Sequence, residues 1–292
     1  MEWLVRMNRA IDYIEENLTE NIELEDVAKI ACCSSYHFQR MFSFIIDIPL
    51  AVYIRRRKLS AAAIELQNSD MKIIDIALKY GYDSPNSFTR AFKNLHGITP
   101  SEARKSGRDL MCYPVISFQI SIRGDVAMQY RFEEREAFEV YGLVRRIEND
   151  EDQHEVIPKF WQKFQENGDY EKICKICGIE PYKELAIAGA IYDFDNDGEY
   201  MSKYMLYTER ERKTKLVEPF ETLEIPKAKW VVFTDKFEDQ NVSTQVIQNL
   251  WKRIFTEWFP SSELEMTNGP QLEVYPNWNS VEVWIPVKEK VK

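Results

Sequence analysis

The chain of 292 residues carries one short pattern twice, 50 residues apart, and this duplication constrains its fold more than any other feature. The first copy is Phe38-x-Arg40-x-Phe42 and the second is Phe88-x-Arg90-x-Phe92. Each follows an Asp-[Val/Ile]-Ala triplet and precedes an X-Pro pair. Phenylalanines four residues apart share one face of a helix, so each copy predicts a short helix, a tight turn and a second helix. One chain of this kind can place two reading helices on DNA.

The helical pattern extends through the first hundred residues. The sequence predicts helices at 3–17, 24–31, 35–45, 50–66, 73–80 and 85–95, with a last turn at 101–105. Ser34 or Ser35 and Ser84 are the expected N-caps, because their hydroxyl groups can accept bonds from the first helical N–H groups. The middle helix would span about 25 Å and hold the two reading helices about one DNA turn apart.

Each reading helix offers polar side chains beside its apolar face. On the first they are Tyr36, Gln39 and Arg40, and on the second they are Asn86, Ser87 and Arg90. Arginine pairs with guanine, and asparagine or glutamine with adenine, so these residues are the predicted base readers. The basic run Arg55 to Lys58, together with Lys93, provides the predicted phosphate contacts.

The net charge of −10 is confined to the second part of the chain. Residues 1–110 hold 15 basic and 15 acidic residues, so the whole acidic excess follows them. A local basic face can bind phosphates although its domain is neutral, whereas the acidic part suits neutral or cationic ligands. No apolar run is long enough to cross a membrane, and the first residues do not form a signal peptide. Five cysteines without an export signal indicate reduced thiols in the cytoplasm.

The segment IALKYGYDSPNSFTRAFKNLHGITPSEAR closely resembles the signature of AraC/XylS-type transcription regulators, and the resemblance covers about residues 3–108. It implies two helix-turn-helix subdomains joined by a long helix, with double-stranded DNA as partner. It also places the family's DNA-facing positions on the six base readers named above. Cys32 and Asp47 stand where glycine is usual, and a non-glycine residue at positive φ costs about 1 kcal/mol.

The second part contains another duplication, at an offset of 90 residues that shrinks to 78. Val156-Ile157-x-x-Phe160-Trp161 matches Val246-Ile247-x-x-Leu250-Trp251, and alternating segments flank both copies. Each copy is therefore predicted as strand, helix, strand, strand, so the fold class is an all-α domain followed by an α+β domain. Residues 115–122 also alternate like a strand. The expected domains are 1–108 and 125–292, with a linker and first strand at 109–124.

The groove between two such copies is the natural ligand cleft. Glu273 and Glu282 each lie inside an apolar strand, where an acid facing an aromatic cleft would receive a cation. An acid on the solvent side of a half-buried strand explains the same pattern. The predicted aromatic lining comprises Tyr141, Trp161, Trp251, Tyr275 and Trp284.

Residues 115–290 resemble the GyrI-like effector-binding domain, through Met128-Gln-Tyr-Arg-Phe, Phe138-Glu-Val-Tyr-Gly, Phe160-Trp161, Leu272-Glu273-Val274-Tyr275 and Val283-Trp-Ile-Pro286-Val. The resemblance implies binding of lipophilic, often cationic compounds, as in multidrug sensing, with a buried glutamate as the main polar contact. That glutamate maps to Glu273, with Glu282 as second choice. Small-molecule effectors are thus expected partners.

Other motifs carry less weight. Cys174-x-x-Cys177 lacks the further ligands that zinc needs, and Asp193-Phe-Asp195-Asn-Asp197-Gly198 lacks the glutamate of a calcium loop. We therefore expect no metal, no cofactor and no catalytic residue. Two alternatives stay open: a hydrolase using Glu273 with Tyr141 or Tyr275, and a protein-interaction module. RNA polymerase is a further candidate partner, and a monomer or weak dimer is expected because one chain holds both reading helices.

Overall fold

The computed structural model describes residues 2–105, 108–119, 127–181, 187–194, 200–209, 217–239 and 242–290. The chain divides into two compact units: a helical one formed by residues 1–42 and 48–122, and an α+β one formed by residues 123–292, with which residues 43–47 are grouped. This confirms the predicted fold class. The domain limits at 108 and 125 stay predictions, since segments 106–107 and 120–126 lie outside the described residues. No helix among the described residues combines the length and apolar character that crossing a bilayer requires.

Over the described residues, the helical unit has seven helices: α1 (Glu2–Glu16), α2 (Leu24–Ala31), α3 (Ser35–Ile46), α4 (Leu50–Asn68), α5 (Ile73–Lys79), α6 (Pro85–His96) and α7 (Pro100–Ala103). The predicted bounds agree with these to within three residues. Ser84 caps α6 by accepting a bond from the Ser87 N–H group, and Ser34 Oγ accepts from His37 N–H at 3.2 Å. These contacts confirm the predicted N-caps.

The duplicated phenylalanines form the centre of each helix-turn-helix subdomain. Phe38 and Phe42 are 1% and 0% exposed, and Phe88 and Phe92 are both 0% exposed. The second pair packs with apolar side chains of α4, α5 and α7. The apolar face of each reading helix is therefore core, as its spacing predicts.

The two subdomains differ at their turns. Cys32 ends α2 with a φ of 56°, and Asp47 follows α3 with a φ of 61°. Gly81 and Gly97 occupy the matching places in the second subdomain, at 80° and 76°. The first subdomain thus adopts with ordinary side chains a backbone that favours glycine.

The α+β unit contains, in order, β1 (Gln129–Arg135), β2 (Phe138–Ile147), α8 (Gln153–Glu166), α9 (Asp169–Cys177), β3 (Ala188–Tyr192), β4 (Ser202–Glu209), β5 (Glu221–Ile225), β6 (Ala228–Lys236), α10 (Ser243–Arg253), β7 (Leu264–Met266), β8 (Gln271–Asn277) and β9 (Ser280–Glu289). A π-helical turn, Ile254–Trp258, continues α10. The predicted duplication is visible as β1-β2-α8-β3-β4 followed by β5-β6-α10-β8-β9.

The described strands form one antiparallel sheet with the order β1-β6-β9-β8-β3-β4-β2-β5, and β7 pairs with β9. The two copies meet at the β3–β8 pair in its middle. Each copy's first strand crosses to the other copy: β1 pairs with β6, and β5 pairs with β2. The halves are therefore interlocked rather than merely adjacent.

The structure also corrects the sequence reading. Residues 115–119, predicted as part of a strand, form no strand, and residues 120–122 lie outside the described residues. The alternation in 115–119 has a different origin, because Phe118 is buried in the helical unit and its backbone N–H donates to Asn8 Oδ1 at 2.8 Å. Strands β5 and β7 and helix α9 were not predicted.

Register decides which side chains share a face of the sheet. Glu273 is paired with Gly189 and Val283, whereas Glu282 is paired with Val274 and Trp284 with Leu272. Successive residues of a strand point to opposite faces. Glu273 therefore lies on one face, and Glu282 and Trp284 lie on the other.

Candidate functional site

The exposed face of α6 carries the second set of predicted DNA contacts. Asn86, Ser87, Arg90 and Lys93 are all exposed, while the phenylalanines behind them are buried. Asn86, Arg90 and Lys93 follow helical spacings of four and three residues, so they form one stripe. Ser87 also takes part in the cap, where its Oγ donates to the Ser84 carbonyl at 2.8 Å.

The first set of predicted base readers is placed differently. Tyr36, Gln39 and Arg40 are 3%, 7% and 1% exposed, whereas an outer helix face was expected. The guanidinium of Arg40 turns back along α3 and donates from Nη1 to the Tyr36 hydroxyl at 2.9 Å. The expected exposed face is therefore not found on α3, and the role of these three residues in DNA binding stays a prediction.

Of the basic run on α4, Arg55 has an exposed side chain, and the other three are partly buried in the helical unit. Arg57 forms a bidentate pair with Glu15, with its closest contact at 2.7 Å. Arg56 lies over the Tyr113 ring at 4.7 Å, and Lys58 donates to the Glu20 carbonyl at 3.3 Å. Arg57 is thus paired with Glu15 inside the helical unit, and its role as a phosphate contact stays a prediction.

A cavity of about 400 Å³ lies in the α+β unit, on the Glu273 face of the sheet. This volume is within the range of small-molecule sites. Both copies of the duplicated motif contribute to its wall, through α8, α10 and β8. Four predicted residues line it: Trp161, Trp251, Glu273 and Tyr275.

The carboxylate of Glu273 is the polar centre of this cavity and is only 5% exposed. Its Oε1 accepts a bond from Trp251 Nε1 at 2.8 Å, and its Oε2 accepts from the Tyr204 hydroxyl at 2.7 Å. Trp161 Nε1 donates to the same hydroxyl at 3.0 Å. Burial, and next the charge of Glu273, hold the pKa of Tyr204 well above its ordinary value, so the hydroxyl keeps its proton.

The donors around Glu273 are all neutral. Trp251 and Tyr204 supply hydrogen bonds but no positive charge, and no lysine or arginine occurs among the described lining residues. Trp161 meets Tyr275 edge to face at 5.6 Å, which gives the cavity further aromatic surface. A buried carboxylate surrounded by aromatic rings and lacking a cation is suited to a cationic ligand.

Three residues predicted for the pocket do not line the cavity. Glu282 and Trp284 lie on the other face of the sheet, where Glu282 accepts a bidentate bond from Arg131 at 2.7 and 3.0 Å. Trp284 packs against Trp230 with ring centres 6.1 Å apart. Tyr141 is fully buried, and its hydroxyl donates to the Val217 carbonyl at 3.0 Å and accepts from its N–H group at 2.9 Å.

Tyr204 and Gln153 are among the polar residues of this site that were not predicted. Tyr204 lies beneath the cavity in the apolar strand β4, where a tyrosine is usually core, and nothing in the sequence connects it to Glu273. Gln153 begins α8 and lines the cavity although it is only 3% exposed. The sequence offers one signal for Gln153, namely that it lies on the same helix as Trp161.

Comparison with known proteins identifies both parts of the chain. The family described as integron-associated effector binding protein matches residues 131–287, and a helix-turn-helix domain family matches residues 27–106. The HTH-type transcriptional activator AarP of Providencia stuartii is 47% identical over 94 residues, which are 32% of this chain and 70% of AarP.

Two solved structures are similar to the second part. An integron cassette protein from the mobile metagenome of Vibrio cholerae is 20% identical, with a TM-score of 0.43, over 56% of this chain and 100% of its own. The structure of SAV2435 bound to tetraphenylphosphonium is 18% identical, with a TM-score of 0.44, over 55% of this chain and 94% of its own.

Proposed function

Because the chain belongs to the family of integron-associated effector-binding proteins and carries an AraC-type DNA-binding domain, it is a transcription regulator, and we propose that its effector is a lipophilic cation. This proposal rests on the surroundings of the Glu273 carboxylate. Its carboxylate is buried beside indole and phenol rings with neutral donors only, so a cation entering the cavity supplies the missing charge.

Glu282 provides the contrast within the same sheet. It is also largely buried, but Arg131 already neutralises it through two hydrogen bonds. The two glutamates therefore differ in charge compensation rather than in burial, and only Glu273 lines the cavity. Substituting each by glutamine separates cation binding from a general effect of removing a buried acid.

Tetraphenylphosphonium titrations, followed by tryptophan fluorescence and calorimetry, test the proposal. Wild type should bind, Glu273→Gln should bind about 10- to 100-fold more weakly, and Glu282→Gln should stay within about twofold, because the attraction between opposite charges about 5–10 Å apart is roughly 1.5–3 kcal/mol at an effective dielectric constant of about 20. Triphenylphosphine oxide, which is neutral, should bind more weakly than methyltriphenylphosphonium, which has the same three phenyl rings and a positive charge. Equal affinity of Glu273→Gln and wild type for the cation would contradict the proposal.

For DNA binding, we propose that α6 reads bases through Asn86 and Arg90 and contacts phosphate through Lys93. The exposure of these side chains on one helical stripe supports this assignment. The assignment of Tyr36, Ser87, Gln39 and Arg40 as further contacts rests on the family resemblance. One chain with both reading helices would bind as a monomer or weak dimer, in the cytoplasm, with RNA polymerase as a candidate partner.

A selected operator tests the DNA assignment. After sequence selection from a random oligonucleotide pool with the wild-type protein, Arg90→Ala should lose about 1–3 kcal/mol and tolerate more bases at one position. Lys93→Ala should weaken binding to all sequences alike and lower the salt slope by about 1. A preference of Arg90→Ala identical to that of wild type would refute base reading by this residue.

We further propose that the α+β unit binds its ligand without converting it. Both oxygens of Glu273 already accept hydrogen bonds, and Tyr141 is bonded to backbone groups rather than to Glu273. Hydrolysis of aryl esters that disappears in Glu273→Gln would instead favour the hydrolase alternative.

A further inference from the structure

One tryptophan on the cavity wall is exposed. Trp278 is 51% exposed, and it lines the same cavity as the buried Glu273. It is the one exposed tryptophan of the seven in the chain, all of which the structure describes. Single exposed aromatic residues are common on protein surfaces, but this indole borders a cavity of ligand size. A ligand in the cavity can therefore reach it without a rearrangement of the fold.

The backbone of the turn between β8 and β9 fixes the position of this residue. Trp278 and Asn279 form a two-residue connection, since Asn277 is paired with Ser280. The Asn279 N–H group donates to Asn277 Oδ1 at 3.1 Å, and the Asn279 carbonyl accepts from the Phe237 N–H group at 2.9 Å. The turn is thus held by contacts that do not involve the indole, so replacing the indole should leave the turn intact.

The end of β8 departs from regular alternation before this turn. Glu273 and Tyr275 line the cavity, as expected for alternate residues on one face of a strand. The pairing with β9 is irregular between Val274 and Asn277, and the next residue of the hairpin to line the cavity is Trp278. Irregularities of this kind can re-aim a side chain next to a functional site. The local backbone thus adds to the cavity wall an aromatic residue that regular alternation would have placed on the other face.

Trp278 lies well beyond the carboxylate that is proposed to bind the cation. On β9, the partners of Glu273 and Asn277 are Val283 and Ser280, which are three residues apart. This spacing corresponds to about 10 Å along the strand, and Trp278 follows Asn277. The cavity wall therefore extends from a buried acid to an exposed indole about 10 Å further along the hairpin.

We infer that Trp278 is a specificity-determining ligand contact, which stacks on an aromatic group that the ligand carries at a distance from its positive charge. The inference rests on the proposed function and narrows it from lipophilic cations to extended cations with such a second group. A charge bound at Glu273 would leave the far end of an extended ligand beside Trp278. Aromatic pairs contribute more than their buried area alone, so an aryl group there is favoured over an aliphatic group of similar size.

Matched ligands provide the first half of the test. Alkyltriphenylphosphonium salts that end in a phenyl group are compared with counterparts that end in a cyclohexyl group, over a graded series of methylene spacers. Cyclohexyl has at least as much apolar surface as phenyl but no aromatic face, so hydrophobic burial alone does not favour phenyl. Dissociation constants are measured by calorimetry with the intact chain, and tetraphenylphosphonium serves as the compact reference.

Matched variants provide the second half. Trp278→Leu removes the aromatic face but keeps an apolar side chain at the cavity, and Trp278→Phe keeps an aromatic face. Phe132 is the control: it is 48% exposed on β1 and is not among the described residues that line the cavity. Phe132→Leu therefore removes a similarly exposed aromatic ring elsewhere in the same unit.

Wild type and Phe132→Leu should favour phenyl over cyclohexyl by about two- to tenfold at the spacer length that reaches Trp278, and not at the shortest spacer. Trp278→Leu should lose this preference while still binding tetraphenylphosphonium, and Trp278→Phe should retain part of the preference. Trp278→Gln, which is polar and suits an exposed turn, replaces the leucine variant if that one does not fold.

The outcomes separate this inference from the function it rests on. Failure of all these cations to bind wild type overturns the proposed function and this inference with it. Binding of tetraphenylphosphonium that depends on Glu273, without a phenyl preference at any spacer length, overturns only the role of Trp278. The same follows if Trp278→Leu keeps the wild-type preference, or if Phe132→Leu loses it to the same extent as Trp278→Leu.

Discussion

Gly189 and Tyr204 are packed so closely that a Cβ atom on residue 189 would lie 2.1 Å from the Tyr204 hydroxyl oxygen. The same atom would lie 3.3 Å from Oε2 of Glu273. That hydroxyl accepts from Trp161 and donates to Glu273, so it joins α8 to β8 beneath the cavity. The absence of a side chain at residue 189 is therefore a condition for the hydrogen-bond network of the proposed site.

Gly189→Ala should destabilise the protein by about 1–3 kcal/mol, because an added methyl group in a packed interior forces its neighbours to move. Displacing Tyr204 should also weaken tetraphenylphosphonium binding. Urea unfolding and ligand titration measure the two effects. Gly178→Ala is the control: a Cβ there meets nothing within 4 Å, so only the strain of its φ of 71° is added, about 1 kcal/mol, without loss of ligand binding. Equal effects of the two variants on ligand affinity would contradict the role of Gly189.

The residues of the cavity were predictable only in part, for a reason that Glu273 and Glu282 illustrate. Both lie in apolar segments of β8 and β9 that are buried on both faces, and such segments do not alternate in a way that reveals which face a residue takes. The sequence therefore made Glu273, Glu282 and Trp284 all candidates for the cavity wall. Strand register places only Glu273 on the face of the sheet that borders the cavity. Tyr204 was missed because its contact with Glu273 joins strands that are far apart in sequence.

Local sequence patterns were sufficient to predict the helices of the helical unit. Caps, proline positions and phenylalanine spacing act within a few residues, so the bounds of α2, α3 and α6 follow closely from the sequence. The exchange of β1 and β5 between the two copies depends on long-range pairing, which the duplication alone does not specify. Burial of Arg40 likewise depends on tertiary packing, whereas its spacing in the motif indicated an exposed position.

Replacing Cys32 by glycine in the turn after α2 should stabilise the protein. Cys32 is held at a φ of 56° and a ψ of 45°, where a side chain costs about 1–2 kcal/mol, and glycine avoids this at an entropic cost of about 0.5–1 kcal/mol. Cys32→Gly should therefore raise the unfolding free energy by about 0.5–1 kcal/mol in urea. Cys33→Gly is the neighbouring control and should lower it, since Cys33 has no positive φ. A loss of stability in Cys32→Gly would show that its side chain contributes more than the strain removes.

Arg55 and Arg57 lie two residues apart on α4 and should differ in what they do. Arg57 neutralises Glu15, whose side chain is only 15% exposed and also accepts from the Tyr53 hydroxyl at 2.7 Å. Arg57→Leu leaves that carboxylate without a cation and should destabilise the protein by about 3 kcal/mol.

Arg55→Ala alters an exposed position and should change stability by no more than about 0.5 kcal/mol, while lowering the salt slope of DNA binding by about 1. Urea unfolding and salt-dependent DNA titration on the same samples distinguish the two arginines. If Arg57→Leu lowered the salt slope while leaving stability unchanged, Arg57 would be a phosphate contact after all.

His37 should make the protein less stable as the solution becomes acidic. Burial, and next the positive charge of Arg40, lower the pKa of His37 from its ordinary 6.5 to about 4. Above pH 6.5 the imidazole is neutral in both the folded and the unfolded chain, so it contributes no pH dependence. Between pH 6.5 and about 4 the unfolded chain binds a proton that the folded chain does not, and the unfolding free energy falls by up to about 3 kcal/mol.

Urea unfolding between pH 7.5 and 5 tests this prediction for His37. The unfolding free energy of wild type should fall more steeply than that of His37→Gln or His37→Leu, with a difference of about 2 kcal/mol at pH 5 relative to pH 7.5. Since the carboxylates titrate alike in all three proteins, parallel curves would mean that the imidazole is protonated as readily in the folded chain as in the unfolded one.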